Sequence, residues 1–231
     1  MNLIKTKSFE LAILTRGKED SKNLAILIPG RLDTKDYENF VSHAEYLADR
    51  GFFVVAFDPP GTWESRGGIE MYTTTNYLKA VDELIEYFGS RPTLLLGHSR
   101  GGAVAMLESM KNSKIIGIVS VMGSLGAPTE LSEEVKKDGF KISYRDVPPG
   151  SSKTKELKKF ALPVSYWEDG KLYDPAKALK GCTKPKLIVY GTRDEFLPDE
   201  VKKIFKTIPE PKMIQKIDSD HDYRRNADAI Q

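Results

Sequence analysis

The sequence has one cysteine, Cys182, and three histidines among its 231 residues. A lone cysteine excludes an internal disulfide and leads us to expect a reducing compartment. No sign of charge dominates: 35 Lys+Arg stand against 33 Asp+Glu, a net charge of +2. With no long basic run, the chain lacks the concentrated positive face of a nucleic-acid binder, so no nucleic-acid partner is expected. No stretch reaches the roughly 18 consecutive apolar residues that a membrane span requires. Met1 to Glu10 alternates polar and apolar residues without the apolar centre of a signal peptide, and a cytoplasmic location is expected. There is no internal repeat and no low-complexity tract. Apolar residues at 40% and charged residues at 29% are ordinary for a globular chain, and the length suits one large domain with a sizeable core.

Short apolar runs alternate with helical patterns, which predicts an α/β fold with a mainly parallel sheet and helices on both faces. Residues 2–8 and 9–16 read as an antiparallel pair at one edge. Strands follow at Leu24–Ile28, Phe52–Phe57, Thr93–Gly97, Ile115–Met122, Lys186–Tyr190 and Met213–Ile217. The helix after the first central strand presents Tyr37, Phe40, Val41, Ala44, Leu47 and Ala48 on one face, with His43 half-buried or exposed. The second places Tyr77, Leu78, Val81, Leu84, Ile85 and Phe88 inward; the third does the same with Val104, Leu107 and Met110. Residues 124–182 break the rhythm, with Pro128, Pro148, Pro149, Pro163 and a Gly150-Ser151-Ser152 turn. This stretch is expected to be a lid inserted into a core of 1–123 and 183–231, with helical pieces near 129–138 and 152–160 and short strands near 140–145 and 163–167.

The segment Leu94-Leu95-Leu96-Gly97-His98-Ser99-Arg100-Gly101-Gly102 carries the chemistry. Gly97-x-Ser99-x-Gly101 has the spacing of a nucleophile elbow, in which a tight strand-to-helix turn holds a serine hydroxyl above the sheet. The glycines remove side chains that would strike the neighbouring strand and helix. The helix that starts after Ser99 aims free N–H groups at developing negative charge, so the Arg100 amide is a natural oxyanion donor.

A serine nucleophile needs a base. His43 lies in a helix, and His98 neighbours the serine at a turn where adjacent side chains diverge. His221, in Asp218-Ser219-Asp220-His221-Asp222 after the last strand, remains. The histidine needs a carboxylate. Asp194 follows the strand Lys186–Tyr190 at the same sheet edge as Ser99; Glu195 and Asp199 stand behind it. The second oxyanion donor should come from Pro29-Gly30-Arg31-Leu32, with the Arg31 amide first and Leu32 next. The Arg31 side chain would meet either an anionic substrate group or a surface carboxylate such as Asp33 or Asp36.

With these residues assembled, the sequence resembles the α/β-hydrolase superfamily over nearly its whole length. Asp58-Pro59-Pro60-Gly61-Thr62-Trp63-Glu64-Ser65 resembles the family's D-x-x-G-x-G-x-S turn, with Trp63 where glycine is usual. Residues 175–195 resemble its helix, strand and acid loop, and the order Ser99, Asp194, His221 is the family's. Pro29-Gly30 stands where His-Gly is usual. The resemblance implies the α/β-hydrolase fold and a serine hydrolase of acyl bonds with no metal or organic cofactor. The expected function is cleavage of carboxylic esters of a small acyl substrate through an acyl-enzyme. A thioesterase, a short-glyceride lipase, an aminopeptidase-like hydrolase and a non-catalytic binding protein are the alternatives. Tyr144, Tyr166, Trp167 and Tyr173 are candidates for the pocket wall, Tyr144 and Trp167 foremost. The oligomeric state is open, a homodimer included.

Overall fold

A computed structural model describes residues 2–126, 130–150, 156–196 and 198–231. In chain order the elements are β1 (Asn2–Lys5), β2 (Glu10–Arg16), β3 (Asn23–Ile28), α1 (Glu38–Ala48), β4 (Phe52–Phe57), α2 (Thr74–Tyr87), β5 (Thr93–His98), α3 (Arg100–Lys111) and β6 (Ile115–Val121). They continue as α4 (Glu133–Asp138), β7 (Phe140–Asp146), β8 (Leu157–Pro163), α5 (Val164–Gly170), α6 (Pro175–Gly181), β9 (Lys186–Gly191), α7 (Pro198–Phe205) and β10 (Lys212–Ile217). Eight strands form one sheet in the order β1-β2-β4-β3-β5-β6-β9-β10. β1 and β2 pair antiparallel, β2 pairs antiparallel with β4, and all other pairings are parallel.

The central strands are apolar throughout because both sheet faces are covered. Along β3, Leu24, Ile26 and Ile28 pack with residues of α2 and α3, and Ala25 and Leu27 pack with Tyr37, Phe40 and Ala44 at α1. These five side chains, Leu24 to Ile28, are fully buried. The parallel register sets Ile28 beside Gly97, Gly97 beside Ser120, and Val121 beside Val189. The loops after β3, β5, β9 and β10 therefore leave the sheet at one edge, the edge where open α/β sheets form their sites.

Two readings of the helices change. His43 is buried, not half-exposed, with its ring tilted over Tyr223 at 5.8 Å between centroids. Met110 is half exposed rather than inward, since the last turn of α3 places it near Gly181 of α6 instead of over the sheet.

Between β6 and α6 the chain leaves the sheet. β7 and β8 form a separate antiparallel hairpin, Phe140 opposite Pro163 and Asp146 opposite Leu157. The helix expected near 152–160 is a strand from Leu157 onward; its first part, with Ser151 and Ser152, falls outside the described residues. Alternation decides it, because Lys158, Phe160 and Leu162 all turn inward. Phe160 meets Trp63 edge-on at 5.5 Å, and Lys158 donates to the Trp63 carbonyl at 3.2 Å. The strand expected near 163–167 is instead α5, for which Pro163 is the N-cap residue; Tyr166 and Trp167 are its buried side. Tertiary packing has overridden local preference at both places.

A buried polar group braces the β4 turn. Lys35 Nζ sits 2.6 Å from Asp36, 2.7 Å from Glu64 and 3.4 Å from Asp58. These three carboxylates lie close enough together to suggest a cation site. The lysine ammonium already occupies the position between them.

Candidate active site

Ser99 has φ +50° and ψ −111°, a left-handed conformation that non-glycine residues rarely adopt. The turn is possible because its neighbours are bare. A Cβ on Gly97 would strike the Gly101 carbonyl, and one on Gly101 would strike the Ile28 carbonyl. The turn is fixed by Ser99 N–H donating to Val121 and by the Ser124 and Ala103 amides donating to the Ser99 carbonyl.

The structure brings Ser99, His221 and Asp194 together from three loops. Ser99 Oγ lies 2.8 Å from His221 Nε2. His221 Nδ1 lies 3.1 Å from each Asp194 oxygen. Burial pushes the Asp194 carboxyl up, but hydrogen bonds from His221 and the Phe196 amide, with the His221 and His98 charges, hold it below the usual carboxylate range. Among the described residues neither Glu195 nor Asp199 hydrogen-bonds to His221, whose Nδ1 faces Asp194.

Pro29-Gly30-Arg31-Leu32, which departs from the familiar His-Gly pattern, has every carbonyl engaged. Tyr77 donates to Pro29 at 2.8 Å, the Asp33 amide to Gly30 at 3.2 Å, Arg145 to Arg31 and the Trp63 indole to Leu32 at 2.8 Å. The Leu32 amide is taken by Tyr72 Oη at 3.2 Å. Among the described residues, no partner engages the Arg31 or Arg100 amides. Trp63 has φ +45°, which explains why glycine is common there. Its indole is retained by the Leu32 bond and by edge contacts to Tyr37 and Phe160.

A cavity of about 830 Å³ opens over Ser99, lined by Arg31, Arg100, Tyr166, Trp167, Phe196 and His221 among others. Tyr144 is not in its wall: β7 turns Arg145 toward the cavity and leaves Tyr144 half exposed on the other side. Tyr173 is also outside, bonded to Thr75. Among the described residues neither carboxylate expected to pair with the Arg31 side chain does so: Asp36 pairs with Lys35, and Asp33 with His98, Arg145 and Arg224.

The sequence did not give the side-chain contacts of three neighbours of the site. His98 Nδ1 lies 3.1 Å from Asp33 and its Nε2 2.8 Å from the His221 carbonyl, so both ring nitrogens face acceptors. Phe196 stands edge-on to His221 at 4.8 Å while 66% exposed. The Arg100 side chain turns away from Ser99, bonding Thr74 and crossing the Tyr166 ring at 5.4 Å. No periodicity marks these contacts; position beside Ser99 or the acid loop is the only signal the sequence offered for them.

This fold and this elbow define a hydrolase class. A family model described as alpha/beta hydrolase fold matches residues 24–145, and the chain belongs to that family. Over a 242-residue alignment it is 23% identical to the rat mitochondrial palmitoyl-protein thioesterase ABHD10, covering 95% of this chain and 76% of that one. It is 26% identical to the bifunctional esterase/perhydrolase DCH of Acinetobacter calcoaceticus, over 73% of this chain and 75% of that one. Among solved structures, Est1E of Butyrivibrio proteoclasticus with bound ferulic acid superposes with a TM-score of 0.77 at 20% identity, over 100% of this chain and 94% of that chain. No helix among the described residues is long and apolar enough to cross a membrane.

Proposed function

We propose that this chain hydrolyses carboxylic esters through an acyl-enzyme on Ser99. One observation carries the reading: a serine hydroxyl on a strained turn, 2.8 Å from a histidine whose other nitrogen faces a buried carboxylate. His221 takes the Ser99 proton as Oγ attacks the acyl carbon, and the same proton then passes to the leaving alcohol. Asp194 orients the ring and stabilises its charged form. The Arg31 and Arg100 amides receive the oxyanion, each free of any other described partner. Water repeats the cycle on the acyl-enzyme. In this reading residues 124–182 act as a lid, and Trp167 lines the substrate pocket. The buried thiol of Cys182 suits a reducing compartment, which we take to be the cytoplasm.

Labelling by a fluorophosphonate tests this directly. Ser99 is expected to be modified in the folded protein and Ser99→Ala to be silent; an unlabelled parent protein overturns the assignment. A thioester substrate is the second reading, favoured by the thioesterase name of the rat relative. Matched p-nitrophenyl esters and acyl thioesters of graded chain length decide between them by kcat/KM.

A further inference from the structure

We propose that Asp33 is a positioning residue, a buried carboxylate that ties the oxyanion loop, the backbone of His221 and the β7–β8 hairpin into one unit; this rests on the serine-hydrolase reading. Asp33 lies midway along the loop between β3 and α1 and is 4% exposed. One oxygen lies 3.1 Å from His98 Nδ1. His98 in turn donates from Nε2 to the His221 carbonyl at 2.8 Å. The carboxylate thereby reaches the main chain of the residue whose ring faces Ser99.

The other oxygen faces two arginines. Arg145 Nε is 3.7 Å away and Arg224 Nη2 3.8 Å away. Arg145 also donates from Nε and Nη2 to the Arg31 carbonyl, at 2.9 and 2.7 Å. That carbonyl belongs to the peptide whose N–H, on Leu32, is held by Tyr72. The peptide plane beside the Arg31 amide is gripped from both ends, by a residue of the hairpin and a residue of the body. Arg224 binds Asp146 at 2.7 Å, and the Asp146 carbonyl accepts from Tyr37 at 2.8 Å. Gly30 shows how closely the loop is wrapped on this pair. A Cβ there would strike the Asp33 carboxylate and stand 2.9 Å from His98 Nδ1.

Burial pushes the Asp33 carboxyl up, but the His98 hydrogen bond and the charges of His98, Arg145 and Arg224 bring it down to about 2. It remains an anion through the working range, and His98, Arg145 and Arg224 all turn to it. Donors aimed at an oxyanion lose their value when displaced by fractions of an ångström, whereas ground-state binding is less sensitive. Loss of Asp33 or Arg145 is therefore read in kcat.

The test is steady-state hydrolysis of p-nitrophenyl acetate by the full chain, with fluorophosphonate labelling alongside. Asp33→Asn is expected to lower kcat about thirtyfold with KM changed less than about threefold. Arg145→Ala, on the hairpin, is expected to lower kcat about tenfold, and Arg145→Lys to restore part of it, since one ammonium cannot reproduce the paired donation. A kcat within about twofold of the parent in folded Asp33→Asn, or a loss confined to KM, overturns the proposal. Should Asp33→Asn fail to fold, the Arg145 variants decide: parental kcat in Arg145→Ala overturns it. A parent that is labelled, with unaffected variants, defeats the positioning role alone. A parent that neither labels nor turns over ester defeats the hydrolase reading and this proposal together.

Discussion

The sheet and the β7–β8 hairpin are built by opposite means. In β3 and β5 the apolar side chains pack against apolar neighbours on one side or the other, and the loops at the sheet's edge inherit that rigidity. The hairpin buries one face, through Phe160 and Leu162, and leaves Phe140, Tyr144 and Leu157 substantially exposed. Its free end is fastened by polar contacts, from Arg145, Asp146 and Tyr37. Reacting groups sit on the apolar frame, and the far end of the hairpin is joined to their loops by charge and hydrogen bonds.

The comparison is tested hardest at the elbow. Ser99→Ala is expected to lose about 10³-fold or more in kcat with an unchanged Tm. His221→Ala should match it and Asp194→Asn fall somewhat short; parental turnover in Asp194→Asn would move the acid elsewhere. Next come the two kinds of burial. Ile26→Ala in β3 is expected to cost about 4 kcal/mol in urea unfolding, and Leu162→Ala in the hairpin about 2 kcal/mol. Equal losses would erase the distinction between frame and hairpin.

A pH effect of about 3 kcal/mol belongs to the frame alone. Burial first, then the charge of His98, lowers His43 from 6.5 to about 4. Among the described residues its Nε2 has no hydrogen-bond partner. Between these values the unfolded chain binds a proton that the folded chain refuses, so stability falls as pH drops from about 6.5 to about 4. His43→Phe is expected to flatten this part of a Tm–pH curve; an unchanged slope would assign it to other groups. The smallest effect is expected at Tyr144→Ser, within about 0.5 kcal/mol in stability and about twofold in kcat/KM. A larger loss of activity would return Tyr144 to the pocket.

The same contrast explains what could be read in advance. Buried parallel strands are continuous apolar runs, so β3, β4, β5, β6 and β9 were legible to within a residue or two. The elbow was legible because Gly97 and Gly101 answer a steric demand and Ser99 a chemical one, and the shortage of histidines left His221. The hairpin was not: Lys-rich residues near 158 favour a helix locally, and pairing with β7 and packing on Trp63, far away in sequence, make the strand the better choice. The same holds for His43 and Asp33. Their partners lie across the fold, Asp33 with His98 and Arg224, and no spacing rule joins loops that meet only after the sheet has formed.

Cys182 closes α6 and is fully buried, with its thiol directed at the Lys184 carbonyl. As the chain's single thiol, it makes the protein its own reporter. An aromatic disulfide reagent added to the folded enzyme can react only when the α6–β9 connection opens, so the colour release times that opening against global unfolding. The scarcest reactive side chain in the sequence becomes a clock for one seam of the molecule, readable without a label or a mutation.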